Sequence, residues 1–310
     1  MQADQTATER PSWLSDLNFL WIEVTHKCNL QCVHCYADSK PTLPLAGMMS
    51  YEDWQKILRE GFEMGCRAVQ FIGGEPTLCP SLPRLVADAR SVGYDFVEVY
   101  TNGTKINSAM LDSFSESRVA LAFSVYAHCA EIHDGITGQK GSFEKTIENI
   151  KLAVQRGFSI RVGVIVMAST EGIDVEKAKE LLRGIGATDI NVDRVRGIGR
   201  GLRQKPNGDP YQELCGSCWK GKLCIDPDGN AYPCVFSSFC RLGNAKNGLR
   251  HILESANLHA FRDKLRNQEM LAGCPPSLCH PDVCPPANRP CSPDCAPSCD
   301  PCVPDIRRRA

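Results

Sequence analysis

The sequence has no stretch long and apolar enough to cross a bilayer, which takes about 18–20 consecutive apolar residues. Its opening, MQADQTATERPSW, also lacks the apolar core of a secretion signal. Charge imbalance is missing too: 35 Lys and Arg stand against 36 Asp and Glu, a formal net charge of −1. Such a balance gives no reason to expect a nucleic-acid or membrane partner. The basic run Arg307–Arg309 is too short to change this and reads as a solvated tail. With 310 residues, 43% apolar and 23% charged, the chain has an ordinary globular composition. Its length suits one large domain with an appendage, or two domains.

What the chain has in excess is cysteine, with 18 residues. Without a secretion signal these favour metal or redox use in the cytoplasm over a disulfide scaffold. Cys28, Cys32 and Cys35 fall within eight residues. Cys66, Cys79 and Cys129 are scattered and read as small buried side chains. The other twelve crowd between Cys215 and Cys302. Four thiolates would close a tetrahedral zinc site or fully ligate an iron–sulfur cluster. Three leave one corner open to something else.

Strand and helix patterns alternate from Phe19 to about Arg196. Strands are expected at 19–25, 68–74, 96–103, 120–126, 159–167 and 189–196, and helices at 51–65, 81–93, 108–117, 142–157 and 174–186, with helix-start structure at His133 and Asp134. This order implies a parallel sheet with helices outside. About 180 residues is short for a closed eight-fold barrel, so a partial (βα)6 TIM-like barrel is expected. GIGRGLRQKPNGDP (197–210) reads as a linker. Beyond it come a hairpin-containing module turning at DPDG (226–229), a helix over 247–270, and a proline–cysteine tail. The expected units are an N-terminal extension (1–18), the α/β barrel (19–200), a small cysteine-rich C-terminal domain (211–302) and a basic tail (303–310).

In such a barrel the functional groups belong on loops after the strands, and CNLQCVHC (28–35) follows the first strand directly. This C-x3-C-x2-C segment resembles the cluster motif of the radical SAM superfamily. The resemblance implies that Cys28, Cys32 and Cys35 hold a [4Fe–4S] cluster. Its open iron would chelate S-adenosylmethionine, whose one-electron cleavage yields a hydrogen-abstracting 5′-deoxyadenosyl radical. His34 stands where the family usually has an aromatic residue near the adenine. FIGGEP (71–76) ends the second strand and resembles the family's GGE motif. There Gly73 and Gly74 would let backbone approach the cofactor, and Glu75 would suit its amino group. Ser124 matches a serine that contacts the cofactor ribose. Asn102 and Arg161 are further cofactor contacts on this reading; a turn asparagine and a solvated arginine are the alternatives.

CWKGKLCIDPDGNAYPC (218–234) resembles the opening of the SPASM domain, an extension that binds auxiliary iron–sulfur clusters. The resemblance implies Cys218, Cys224 and Cys234 as ligands, with Cys240 or a tail cysteine as the fourth. Cys215, like Cys240, is a ligand or a hydrogen donor. The spacing Cys215-x2-Cys218 also fits a zinc knuckle, so a zinc ribbon stays open. The tail thiols Cys274, Cys279, Cys284, Cys291, Cys295, Cys299 and Cys302 depart from the family's C-x2-C-x5-C-x3-C pattern. They are counted as further ligands, for one or two auxiliary clusters in all.

The resemblance implies oxidative modification of a ribosomally made precursor peptide, by a thioether or C–C cross-link. An external donor of flavodoxin or ferredoxin type would supply electrons. About 18 residues precede the barrel, too few for a leader-binding domain, so a separate leader-peptide-binding protein is expected. The alternatives are a dehydrogenase or epimerase of a small molecule such as an aminosugar, and a non-catalytic zinc- or iron-binding module.

Overall fold

The computed structural model describes residues 17–166, 175–203 and 208–271, with side chains described as far as 267. Six parallel strands pair in chain order: β1 (Phe19–Glu23), β2 (Ala68–Ile72), β3 (Phe96–Thr101), β4 (Ala120–Val125), β5 (Ile160–Val166) and β6 (Asp189–Arg194). Between them run α1 (Tyr51–Glu63), α2 (Leu82–Val92), α3 (Ser108–Glu116), α4 (Ala130–Thr137), α5 (Ser142–Gln155) and α6 (Val175–Gly184). The elements match the expected alternation. Their ends are trimmed by up to two residues, in the strands because the residues after each strand leave the sheet to form the functional loops.

Local chemistry sets these boundaries. A capping box at Ser50 and Asp53 opens α1, which then buries Trp54, Ile57, Leu58 and Gly61 along one stripe. Gly93, at φ 116°, closes α2. Helix α4 begins before the expected helix-start pair, so Asp134 lies within it. The Asp134 carboxylate instead accepts from Gly141 N (2.6 Å), Ser142 Oγ (2.8 Å) and Phe143 N (2.9 Å), anchoring the start of α5.

The strands carry two different faces. Leu20, Ile22, Val69, Phe71, Val97, Val99, Leu121 and Phe123 join the main core beneath the helices. Trp21, Gln70, Tyr100, Ser124, Arg161 and Asp193 line a cavity on the other side. One cavity of about 190 Å³ touches all six strands. Six strands spaced ~4.8 Å apart would spread over ~24 Å if flat, so the sheet must curl into a partial barrel.

The cysteine-rich module continues this sheet. β7 (Lys222–Ile225) pairs in parallel with β1, setting Cys224 beside Trp21, while β8 (Asn230–Tyr232) and β9 (Gly243–Asn244) follow antiparallel. The full order is β6-β5-β4-β3-β2-β1-β7-β8-β9. Two expectations need correction. The glycine-rich stretch read as a linker forms a turn over Gly199–Arg203, with Arg200 only 7% exposed. The helix expected over 247–270 is two helices, α7 (Leu249–Leu253) and α8 (Ala256–Leu271). The Ser255 hydroxyl accepts from Leu258 N (3.3 Å) and restarts the helix. No described helix is long and apolar enough to cross a membrane.

Candidate cluster and cofactor site

The cysteine loop leaves β1 and is held by backbone bonds to its neighbours. Gly74 N donates to Thr25 O (2.7 Å), and Glu75 N to Lys27 O (2.8 Å). Gln31 N and Val33 N donate to Thr137 O and Ile136 O of α4, both at 3.0 Å. The two glycines of FIGGEP are what allow the first contact. A Cβ on Gly74 would stand 2.2 Å from Lys27 O, and one on Gly73 would stand 2.6 Å from Thr25 O. Both glycines therefore serve close approach, with the cysteine loop itself as the near neighbour.

Glu75 is fully buried. Its Oε1 accepts from Thr77 N (3.1 Å), Thr77 Oγ1 (2.5 Å) and Thr101 Oγ1 (2.6 Å), and its Oε2 from Asn102 N (2.8 Å). Burial raises its pKa, against the pull of these donors. The carboxylate thus ties the end of β2 to the end of β3. Asn102 extends the tie, its Nδ2 lying 3.7 Å from Cys28 Sγ and 3.1 Å from Asn29 Oδ1.

Cys28 and Cys32 are each 8% exposed and Cys35 is half-buried. Burial pushes the bare Cys28 thiol up to about 12 and raises Cys32 and Cys35 as well. All three line the cavity, with His34, Gly73, Gly74, Glu75, Asn102, Ser124 and Arg161. The structure therefore brings every barrel residue singled out from the sequence to one site. His34 meets Tyr126 edge-on (4.7 Å), and its Nδ1 is buried without a hydrogen-bond partner. Burial, then the Arg200 charge, lowers its pKa to about 4, so it is neutral. Ser124 lies within hydrogen-bonding reach of Tyr100 and Tyr126.

Arg161 is not solvated. It is 2% exposed, paired with Glu98 at 2.8 Å and set over the Tyr100 ring at 5.1 Å. Gln70 Nε2 completes the network by donating to Glu98. Sequence reasoning missed Glu98, although one charge interrupting each of two apolar strands, FVEVYT and SIRVGVIVM, is the signature of a pair across the inner face. It also missed Tyr126 and Arg200.

The second cysteine group abuts the same cavity, whose wall includes Val235 and Phe236. Cys218, Cys224 and Cys234 are 1%, 1% and 3% exposed. The sulfurs of Cys218 and Cys234 are 3.0 Å apart, and Cys215 lies within hydrogen-bonding reach of Cys218. Cys240, half-buried, feels the charge of Cys234. Tyr36, next to Cys35, meets Phe236 edge-on (5.2 Å) and so joins the two groups. The tail cysteines from Cys274 to Cys302 lie outside the described residues.

These donors fit iron–sulfur groups. Clustered soft thiols suit iron–sulfur or zinc. The first triad adds a cavity side bordered by the unpartnered His34 Nδ1, where a further ligand has room. Among the described residues no three His, Cys, Asp or Glu side chains converge on a single-ion site.

Comparison with known proteins follows the same division. A model of the radical SAM superfamily matches residues 22–183. A SPASM model, an iron–sulfur cluster-binding domain, matches residues 215–280. The subtilosin biosynthesis protein AlbA of Bacillus subtilis is 28% identical over 255 residues. That match spans 72% of this chain but only 56% of AlbA. Mycofactocin maturase MftC of Mycobacterium ulcerans is 33% identical over 307 residues, 84% of this chain and 80% of MftC. Among solved structures, Streptococcus suis SuiB bound to S-adenosylmethionine superposes with a TM-score of 0.67 at 15% identity, over 80% of this chain and 68% of SuiB. anSMEcpe with bound AdoMet gives 0.61 at 19%, over 78% and 82%. At such identities the structures share the fold.

Proposed function

The chain belongs to the radical SAM superfamily, and from that premise we propose that it oxidatively modifies a ribosomally made peptide. One observation carries this reading: both cysteine groups border a single cavity, the first through its own thiols and the second through Val235 and Phe236 beside Cys234. When bound, the cluster and S-adenosylmethionine supply one-electron cleavage of a sulfonium bond and the hydrogen abstraction that follows. The second site then lies where it can take the electron that the substrate gives up, which favours net oxidation.

The residues have separable tasks. Cys28, Cys32 and Cys35, which line the cavity, would hold the first cluster with three thiolates, one fewer than full ligation needs. Asn102 orients Cys28, while Glu75 fixes the geometry of the two strand ends and leaves the backbone at Gly73 and Gly74 to face an amino group. His34, Tyr126 and Ser124 form the wall for the nucleoside. Glu98 and Arg161 neutralise each other on the floor, so the substrate meets a closed, pre-paired surface. Cys218, Cys224 and Cys234, with Cys215 or Cys240, hold an auxiliary cluster.

The peptide assignment is supported by relatives named for bacteriocin biosynthesis, mycofactocin maturation and PqqA peptide cyclisation. A thioether or C–C cross-link is the modification, with a separate leader-binding protein, a flavodoxin- or ferredoxin-type donor and a cytoplasmic setting. The test is anaerobic reconstitution with iron and sulfide, then incubation with S-adenosylmethionine, reductant and candidate precursor peptides. We expect eight to twelve irons per chain, on the order of four per cluster, 5′-deoxyadenosine, and a peptide lighter by two hydrogens. About four irons would remove the auxiliary cluster. An unmodified peptide beside an oxidised or epimerised aminosugar would overturn the substrate class.

A further inference from the structure

The turn after β6 carries a residue whose whole polar surface is spent on the first cysteine loop. Arg200 donates through Nε to Cys32 O (2.7 Å) and through Nη2 to Ser39 O (2.7 Å). Its Nη1 meets Asp38 Oδ1 (2.8 Å), and its own backbone N donates to Cys35 O (2.9 Å). These four contacts touch both ends of the segment that carries the last two cysteines. The flanking residues are glycines for a reason. Gly199 has φ 57°, and a Cβ there would stand 2.3 Å from Tyr36 O and 2.5 Å from Cys35 O. A Cβ on Gly201 would stand 2.0 Å from Arg196 O. Gly199 lets the backbone lie against the loop, and Gly201 lets the turn fold back on Arg196, which together aim Arg200 at the loop.

We propose that Arg200 is a positioning residue for the first cluster, fixing the loop between Cys32 and Ser39 and raising the cluster's reduction potential with its buried charge. The inference rests on Cys28, Cys32 and Cys35 being the ligands. A planar guanidinium suits the task, because three acceptors in divergent directions match its rigid fork and do not match a single ammonium. The charge is incompletely neutralised by its partner. The Arg200 side chain is 7% exposed, whereas that of Asp38 is 64% exposed and shielded by water. The positive field at the sulfurs therefore persists. An electron added to a cluster beside a buried cation is stabilised, so the midpoint potential rises.

The experiment uses full-length protein reconstituted anaerobically, as wild type, Arg200→Gln and Arg200→Lys. Two quantities are followed: the midpoint potential of the electron paramagnetic resonance signal that responds to S-adenosylmethionine, and the rate of iron loss to a chelator. Arg200→Gln should shift the midpoint to more negative values and lose first-site iron several-fold faster. Arg200→Lys should keep a midpoint close to wild type yet still lose iron faster, because it keeps charge and loses the fork. A wild-type midpoint in Arg200→Gln would overturn the electrostatic role, and wild-type iron retention would overturn the clamp. Should Arg200→Gln prove insoluble, Arg200→Lys decides: faster loss at an unchanged midpoint supports the proposal, and unchanged retention overturns it. The ligand assignment fails independently, through a responsive signal that survives in a Cys28→Ala/Cys32→Ala/Cys35→Ala variant.

Discussion

The two cysteine groups are built in opposite ways. The first triad is strung along a loop, and other chain segments hold that loop in place: the glycines after β2, helix α4, and the turn that carries Arg200. Its thiols need not touch one another, and one side stays open to the cavity. The second group is thiol packed on thiol, with Cys218 and Cys234 in sulfur contact and Cys224 fixed on a strand paired to β1. A site whose ligands are held from outside can keep a vacant corner. A site whose ligands are held by each other closes around what it binds. On the function proposed above, the first construction suits a reactive cluster and the second an electron-accepting one.

The largest effect should come from removing the first triad. Cys28→Ala/Cys32→Ala/Cys35→Ala should lose about four irons and all 5′-deoxyadenosine formation above background, read by iron analysis and chromatography. The second group should keep its iron in that variant, since the sulfurs of Cys218 and Cys234 meet each other and the first loop reaches this group through the Tyr36–Phe236 ring contact, which the three substitutions leave in place. Loss of all iron would show that the two sites fold as one.

Removing Cys234 should have a smaller and different effect. Cys234→Ala should lower the auxiliary iron by about four and abolish peptide modification, while 5′-deoxyadenosine still forms. In metal-free protein the cost should be about 1 kcal/mol. In loaded protein the fall in unfolding temperature should be larger, because metal binding is coupled to folding. Equal shifts in the two forms would rule Cys234 out as a ligand.

The unequal construction also explains what could be read in advance. The alternation of the barrel and the strand-end position of CNLQCVHC and FIGGEP were legible, because period and turn chemistry are local. The pairing of β1 with β7 joins residues about two hundred positions apart, and no local pattern announces it. GIGRG reads as a flexible connection because glycines that permit close approach look the same as glycines that permit freedom. Only the structure shows that a Cβ on Gly199 would strike the cysteine loop and one on Gly201 would strike Arg196 O. Arg161 was singled out but its partner Glu98 was hidden for a related reason: a barrel's inner face is buried yet polar, so a charge there mimics a solvated position.

A pair of glycine substitutions tests the comparison at its smallest scale. Gly74 and Gly216 each lie close to a cysteine group, but their surroundings differ. A Cβ on Gly74 would stand 2.2 Å from Lys27 O, a backbone atom that can yield only if the cysteine loop moves. Gly216 has φ 81°, and a Cβ there would meet nothing within 4 Å, so its cost is conformational alone. Gly74→Ala should therefore cost about 1–3 kcal/mol and weaken first-site iron retention and cofactor cleavage together. Gly216→Ala should cost about 1–2 kcal/mol and leave the iron count and the chelator resistance of both sites unchanged. Calorimetry with chelator challenge separates the two. Similar destabilisation with iron loss confined to Gly74→Ala supports backbone clasping as the device of the first site. Auxiliary iron loss in Gly216→Ala would mean that the second group also relies on its backbone, and the contrast between the two sites would fail.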